Sequence, residues 1–390
     1  MLNFSAALKK RAQAKVDSKP LFFNLNELSH KHKVEGLLKR NAQVVDDYLE
    51  QLRELYAINN PASALSLNFK NEFDAHVKKI ATPLWQLGKW VYFPWLNSLV
   101  HVLEEKNFFK IRTARNKLLI NNEEQKKFYN AVIGIAGLSV GSSVAMALVL
   151  QGGAKHIKLA DFDTLALSNT NRVRAGVQNL GLAKAELTAR QIYEMNPYSK
   201  VEIFSQGLNP ANIKKFTSGL NVLVDEMDDL SMKLLLRMEA KKQKVAVVMG
   251  ADNADMAVID IERHDKKQKI KFFHGKVKNA SFDKLKKLSK FEVGKTIAQL
   301  IGLENHTPRM LTSLREMGKT IVSWPQLGGT AMLNGSAIAY CVRKIVTGQA
   351  VVKNRAIISL DRHLEPDYYS TKQKSQRAKS IQEFRKIFNL

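Results

Sequence analysis

Short apolar runs alternate with stretches of helical spacing through the middle of the chain. Residues 131–136 are almost continuously apolar, as a strand buried on both faces requires, and 142–150 resume with small and branched residues suited to a helix packed on a sheet. His156–Ala160 reads as a second strand, and 201–204, 221–225 and 244–249 as the third to fifth. Between them lie helical stretches at 185–195 and 231–240, and a short helix opened by Asn209-Pro210. Residues 250–253 read as a loop after strand five, and 269–274 as a further extended run. Alternating strands and helices predict an α/β fold around a parallel sheet.

The flanks have a different pattern. Val34, Leu37, Leu38, Val44, Leu49 and Leu52 recur at roughly helical spacing, so residues 1–108 read as a mostly helical accessory region. Trp85, Trp90 and Trp95 crowd one window of it and are expected to pack this region onto the central sheet. The nucleotide-binding core is assigned to 109–275 and its completion to 276–368. Within the latter, lysines at 276, 278, 284, 286, 287, 290 and 295 flank Leu285, Leu288, Phe291 and Val293, the pattern of an amphipathic segment with a basic solvent face. An apolar helix over 330–346 is expected to return to the core. The polar, basic residues 369–390 are expected to be partly disordered.

Candidate chemistry gathers at the second strand. Gly134, Gly137 and Gly141 allow a turn whose N–H groups meet a phosphate at a helix start. Asp161, Asp163, Asn169, Asn171, Arg172 and Lys184 follow within one loop and the head of the next helix. A dinucleotide oxidoreductase needs one ribose-binding acid there. Two acids, two amides and two cations fit a triphosphate and its metal better, because phosphoryl charge calls for several fixed partners. Asp228 lies just past strand four, with Asp225, Glu226 and Asp229 as further carboxylates, a set of oxygens that suits Mg²⁺. Asp252 is a candidate to approach substrate from strand five.

The pattern D-x-D-x-x-x-x-x-N-x-N-R at 161–172, G-x-x-K at 181–184 and Asn196-Pro197 resembles the ThiF/MoeB-type superfamily, relatives of ubiquitin-activating enzymes. The wording GLSVG, LADFDTLALSN and SWPQL resembles bacterial ThiF-like domains often fused to nitroreductase-like domains. The resemblance implies a Rossmann-like domain that binds ATP and Mg²⁺ and adenylates a carboxylate. It assigns Asp161 to the ribose, Asn169, Arg172 and Lys184 to phosphates, and Asp228 to the metal. Arg112, Arg115 and Gln125 stand where the superfamily has conserved-pattern residues ahead of the first strand, and Arg115 matches an arginine that crosses a homodimer interface to the partner's nucleotide. The carboxylate would belong to a ubiquitin-like or sulfur-carrier protein, a peptide or a tRNA base.

The chain has 390 residues, a formal charge of +25 and a single cysteine, Cys341. The charge is that of a lysine-rich surface or of a partner of polyanions such as RNA. One cysteine excludes an internal disulfide and a tetrahedral zinc set, and fits a reducing compartment. Cys341 lies in an apolar helical stretch, so no thioester nucleophile is expected on the chain. There is no apolar run of about 20 residues and no signal-peptide core, so the cytoplasm is the expected location. The alternatives are an NAD-dependent oxidoreductase on the same fold and a catalytically silent nucleotide-binding scaffold.

Overall fold

The computed structural model describes residues 17–266, 269–277 and 280–388; Lys278, one of the basic-face lysines, lies outside them. The chain divides into two compact units, 1–121 with 189–198, and 122–188 with 199–390.

The first unit contains a four-stranded sheet that the helical reading of this region did not anticipate. Strands β1 (Leu21–Phe23), β2 (Gln43–Asp46), β3 (Lys89–Phe93) and β4 (Ser98–Val102) lie in the order β1-β3-β4-β2. Val44, read as part of a helix, belongs to β2, a strand too short to show alternation. Helices Leu28–Lys39 and Tyr48–Asn59 flank it. Trp90 is buried with Phe23, Val34, Leu37 and Leu99, so this tryptophan builds the unit's own core.

The second unit holds a seven-stranded sheet. β5 (Val132–Ala136), β6 (His156–Ala160), β7 (Lys200–Phe204), β8 (Val222–Asp225), β9 (Ala246–Asp252), β10 (Met256–Glu262) and β11 (Asn354–Ser359) take the order β11-β10-β9-β8-β5-β6-β7. The strands from β7 to β9 are parallel, and β10 and β11 add antiparallel pairs. The strand order reverses between β5 and β8, so the carboxyl ends of those strands frame the crevice in which such sheets bind ligands. The apolar runs chosen for β5, β6 and β8 are buried as expected.

Two sequence expectations fail around β9. Residues 250–252 continue that strand rather than forming a loop, because Gly250, Ala251 and Asp252 pair with Ile259, Val258 and Ala257 of β10. The extended run expected at 269–274 is a tight turn in which Phe273 and His274 take left-handed φ values of 52° and 51°. The strand itself is β10, whose Asp260 and Glu262 disguised it. Their burial is sustained by charge: Arg237 of the Leu230–Lys242 helix bonds Glu262 at 2.7 Å and also pairs with Asp225, which Lys233 reaches at 3.2 Å. Arg237 further lies 4.3 Å over the Phe273 ring. Burial alone would raise the Asp225 carboxyl, but Lys233 and Arg237 outweigh it and hold it below the ordinary range. This buried cluster fixes the end of β8, three residues before Asp228.

The C-terminal segment is ordered where partial disorder was expected. Thr371–Phe388 is a helix that buries Phe384 with Met310, Leu311 and Leu314, with Ile381 and Phe388 packed alongside. Apolar residues three to four apart give even this basic helix one docking stripe. The Gly328–Val346 helix buries Ile338, Ala339, Cys341, Val342 and Ile345 and leaves Met332 and Tyr340 exposed. Its apolar side is therefore used within the unit, against the Gly141–Leu150 helix and β9.

Candidate nucleotide site

The glycine turn crosses the tip of β8. Gly137 has φ +85°, and a Cβ there would collide with the main-chain oxygen of Glu226, so the close crossing requires glycine. The turn leads into the Gly141–Leu150 helix, whose far end is closed by Gln125: its Nε2 donates to the oxygens of Gln151 and Gly152 at 3.1 and 2.9 Å. Gln125 is thus a helix-end cap.

Asp161 stands at the tip of β6, nearly buried. Its Oδ2 accepts the Leu138 N–H at 2.6 Å and its Oδ1 the Asp163 N–H at 2.8 Å. Burial raises its carboxyl, and those two N–H groups and Lys184 offset only part of the rise. Asp161 therefore braces the glycine turn, while each oxygen keeps a lone pair for a further donor. Asp163 is half-exposed and holds Lys184 Nζ at 2.8 Å. Lys184, buried at the head of the Lys184–Met195 helix, is in this way kept near Asp161 by a carboxylate.

The N-x-N-R turn is knit from its own side chains. Asn169 Oδ1 accepts the Ala166 N–H at 3.1 Å. Arg172 Nε donates to Ser139 Oγ of the glycine turn at 2.8 Å, and Nη1 donates to Asn171 Oδ1 at 2.9 Å. Burial lowers the Arg172 guanidinium, and the charges of Asp228 and Asp252 pull it back up. Neither acid forms an ion pair with it among the described residues, so the guanidinium retains N–H groups for an incoming anion.

Of the carboxylates past β8, the geometry separates four roles. Asp225 belongs to the buried charge cluster. Glu226 Oε1 accepts the Gly250 N–H at 2.7 Å, and burial pushes its carboxyl well above the ordinary range. Asp229 caps the Leu230–Lys242 helix through the N–H groups of Ser231 and Met232. Asp228 alone is exposed and uncommitted among the described residues. Mg²⁺ is held by one or two carboxylates together with substrate phosphates, and Asp228 fits that demand. The sharing of a metal by Asp225, left open by the sequence, does not fit its two ion pairs with Lys233 and Arg237. No group of three or more metal-ligating side chains occurs among the described residues.

Three further residues, given no role from sequence, join the site: Ser139 within GLSVG, Gln326 within SWPQL, and Asn334. Asp252, weighed from sequence, proves to be buried beside them. Ser139 anchors Arg172; its signal was a serine inside a glycine loop. Gln326 Nε2 donates to Asp252 Oδ2 at 3.3 Å, and its main-chain oxygen accepts from Asn171 Nδ2 at 2.9 Å. Asn334 donates to Asp252 Oδ1. Burial raises the Asp252 carboxyl to about 6 despite those bonds and Arg172. Arg115 is exposed in the first unit, in a short helical turn beside Leu118 and Leu119, themselves 91% and 84% exposed.

Residues 113–382 match the ThiF family over more than half the chain. The chain belongs to the ThiF family. The uncharacterized protein MT1398 of Mycobacterium tuberculosis is 33% identical over 277 residues, covering 71% of this chain and 38% of that protein. The tRNA threonylcarbamoyladenosine dehydratases of Escherichia coli and Bacillus subtilis are 35% and 29% identical, covering 30% and 36% of this chain and 43% and 57% of their own. The chain thus spans 38% to 57% of the length of these relatives. Among solved structures, E. coli MccB with ATP matches at 17% identity and a TM-score of 0.46, covering 67% of this chain and 77% of its own. The matched residues span the whole seven-stranded sheet, β5 to β11, and the turn at 161–172. No helix among the described residues is long and apolar enough to cross a membrane.

Proposed function

We propose that this ThiF-family chain binds ATP with Mg²⁺ at the β5–β6–β8 edge and uses it to adenylate a carboxylate. The observation that supports this reading is Arg172 bonded to Ser139 of the glycine turn with the charge of the exposed Asp228 acting on it, while Lys184 is held by Asp163 next to Asp161. A carboxylate becomes reactive when its oxygen is joined to AMP, and the work of the site is to align it with the α-phosphorus and neutralise the departing pyrophosphate. Arg172 and Lys184 supply the cations and Asn169 supplies amide donors. Asp161 or Asp163 takes the ribose. Asp228 holds Mg²⁺, which adds positive charge at the phosphates. The single cysteine is buried and its thiol pushed up to about 11, so an acyl adenylate passes to an external amine, thiol or hydroxyl without a thioester on this chain.

The substrate carboxylate is that of a carrier protein, a peptide or a tRNA base. The charge of +25 and the tRNA threonylcarbamoyladenosine dehydratases among the relatives favour the tRNA. The reducing cytoplasm suits the lone thiol. Isothermal titration tests the nucleotide directly: ATP–Mg²⁺ is expected to bind at least about tenfold more tightly than NAD. Equal or tighter binding of NAD points to the oxidoreductase alternative and removes this reading.

The exposed Arg115, next to two exposed leucines, supports a symmetric homodimer in which each arginine reaches the partner's nucleotide. Mixing Arg115→Ala with Asp228→Ala subunits gives heterodimers with one doubly damaged and one intact site, so each heterodimer should have about half the activity of the parent dimer. A monomer by light scattering, or proven heterodimers that stay inactive, rules out the shared site.

A further inference from the structure

Gln326 lies at a junction of three parts of the crevice. Its side chain reaches Asp252 at the end of β9, and its main-chain oxygen holds Asn171 at 2.9 Å. Asn171 holds Arg172 at 2.9 Å, and Arg172 reaches Ser139 of the glycine turn at 2.8 Å. Asp252 is fixed from its other side by Asn334 of the Gly328–Val346 helix. The bonds run without a break from β9 through residues 323–329 to the N-x-N-R turn and the glycine turn.

The backbone enforces the same arrangement. A Cβ on Gly328 would collide with the main-chain oxygen of Asn171, so this loop is seated directly on the turn. Trp324 anchors the loop's start against Met256, Val258 and Ile301. Asp252 itself is only 6% exposed. A buried acid is costly where an amide or apolar residue would pack without penalty, so its presence beside Arg172 calls for a role. The guanidinium is where these bonds converge. A planar fork grips phosphate in two-pronged fashion only when its plane is aligned, and here Nε and Nη1 are both tethered, which fixes that plane.

We propose that Gln326 and Asp252 are positioning residues that set the guanidinium plane of Arg172 for the nucleotide phosphates, acting through Asn171. The proposal rests on the adenylation reading and extends it beyond the D-x-D and N-x-N-R motifs. Asn171 is a link in this relay, since each end of its amide is engaged within the chain.

Titration of ATP–Mg²⁺ into the parent, Gln326→Ala, Arg172→Ala and the double variant tests it. Gln326→Ala is expected to weaken binding about five- to tenfold, because the loosened guanidinium must be ordered again on binding. In the Arg172→Ala background the same change should cost nothing further, the non-additivity of residues that act through one another. Gln326→Glu, which keeps the size and main-chain oxygen but cannot donate to Asp252, serves in the same cycle if the alanine variant does not fold. Parent-like affinity in Gln326→Ala, or an equal loss in both backgrounds, overturns the proposal while leaving the adenylation reading intact. Failure of the parent itself to bind ATP–Mg²⁺ removes the adenylation reading and this proposal with it.

Discussion

Asp228→Ala is expected to lower ATP–pyrophosphate exchange with the cognate carboxylate by at least about a hundredfold, the scale on which a site loses charge stabilisation of its transition state. The fold should be unaffected. Asp228 is exposed and, unlike its neighbours, makes no hydrogen bond or ion pair with another described residue, so its removal breaks no cap and no ion pair. A substrate-free measurement tests the metal role separately. In the parent, Mg²⁺ should tighten ATP binding, whereas in Asp228→Ala the affinities with and without Mg²⁺ should converge. Asp229→Ala is the contrasting control: it loses the N-cap, costing about 1 kcal/mol of stability, and keeps the Mg²⁺ dependence. Cys341→Ala should keep full exchange. Undiminished exchange in Asp228→Ala, or an unchanged response to Mg²⁺, would show that the metal is held elsewhere.

Arg237→Met should be the most destabilising of these changes, by about 3–5 kcal/mol at neutral pH, because it strands Asp225 and Glu262 as buried charges without their guanidinium. The sign of the pH dependence distinguishes this cause from lost packing. In the parent, burial tends to raise both carboxyls, but the cationic partners hold them below the ordinary range. Their contribution is present above the unfolded-state pKa and is lost as pH falls through the folded value. In the variant, Asp225 keeps Lys233 and the Met227 N–H, and Glu262 keeps His264 and the Phe273 N–H, but without the guanidinium burial should raise both carboxyls and protonation relieve the penalty. The deficit of the variant should therefore narrow as pH falls from 7 toward 5, read as the gap between urea midpoints. A gap of under about 1 kcal/mol, or one that does not narrow, would mean that the cluster does not stabilise the end of β8 as described.

β10 shows why the sequence was misread where it was. Its Asp260 and Glu262 break an apolar run, and polarity at a strand position ordinarily signals solvent. Their partners, Arg355, His274 and Arg237, are distant in sequence, so only folding reveals that the charges are matched. The helix at Thr371–Phe388 escaped for the opposite reason. Its basic composition outweighed a narrow stripe of apolar residues whose docking site, around Leu311, lies about seventy residues earlier.

By itself the sequence determined the parallel core and the ThiF-type motifs. Apolar runs such as His156–Ala160 can be satisfied only inside a sheet, and residues such as Asp161, Arg172 and Lys184 sit at fixed offsets from those strands. It also placed a glycine turn between β5 and the next helix, although the crossing of Gly137 over the main chain of Glu226 is tertiary. The tertiary structure alone decided which carboxylate past β8 remains free. Asp225, Glu226, Asp228 and Asp229 are alike in sequence; burial against Arg237, a main-chain bond to Gly250 and a helix cap remove three of them. It likewise decided that Arg172 is held by Ser139 and Asn171, and Asn171 by Gln326, because hydrogen bonds across 33 and 155 residues of chain depend on where the elements pack and leave no periodic trace in the sequence.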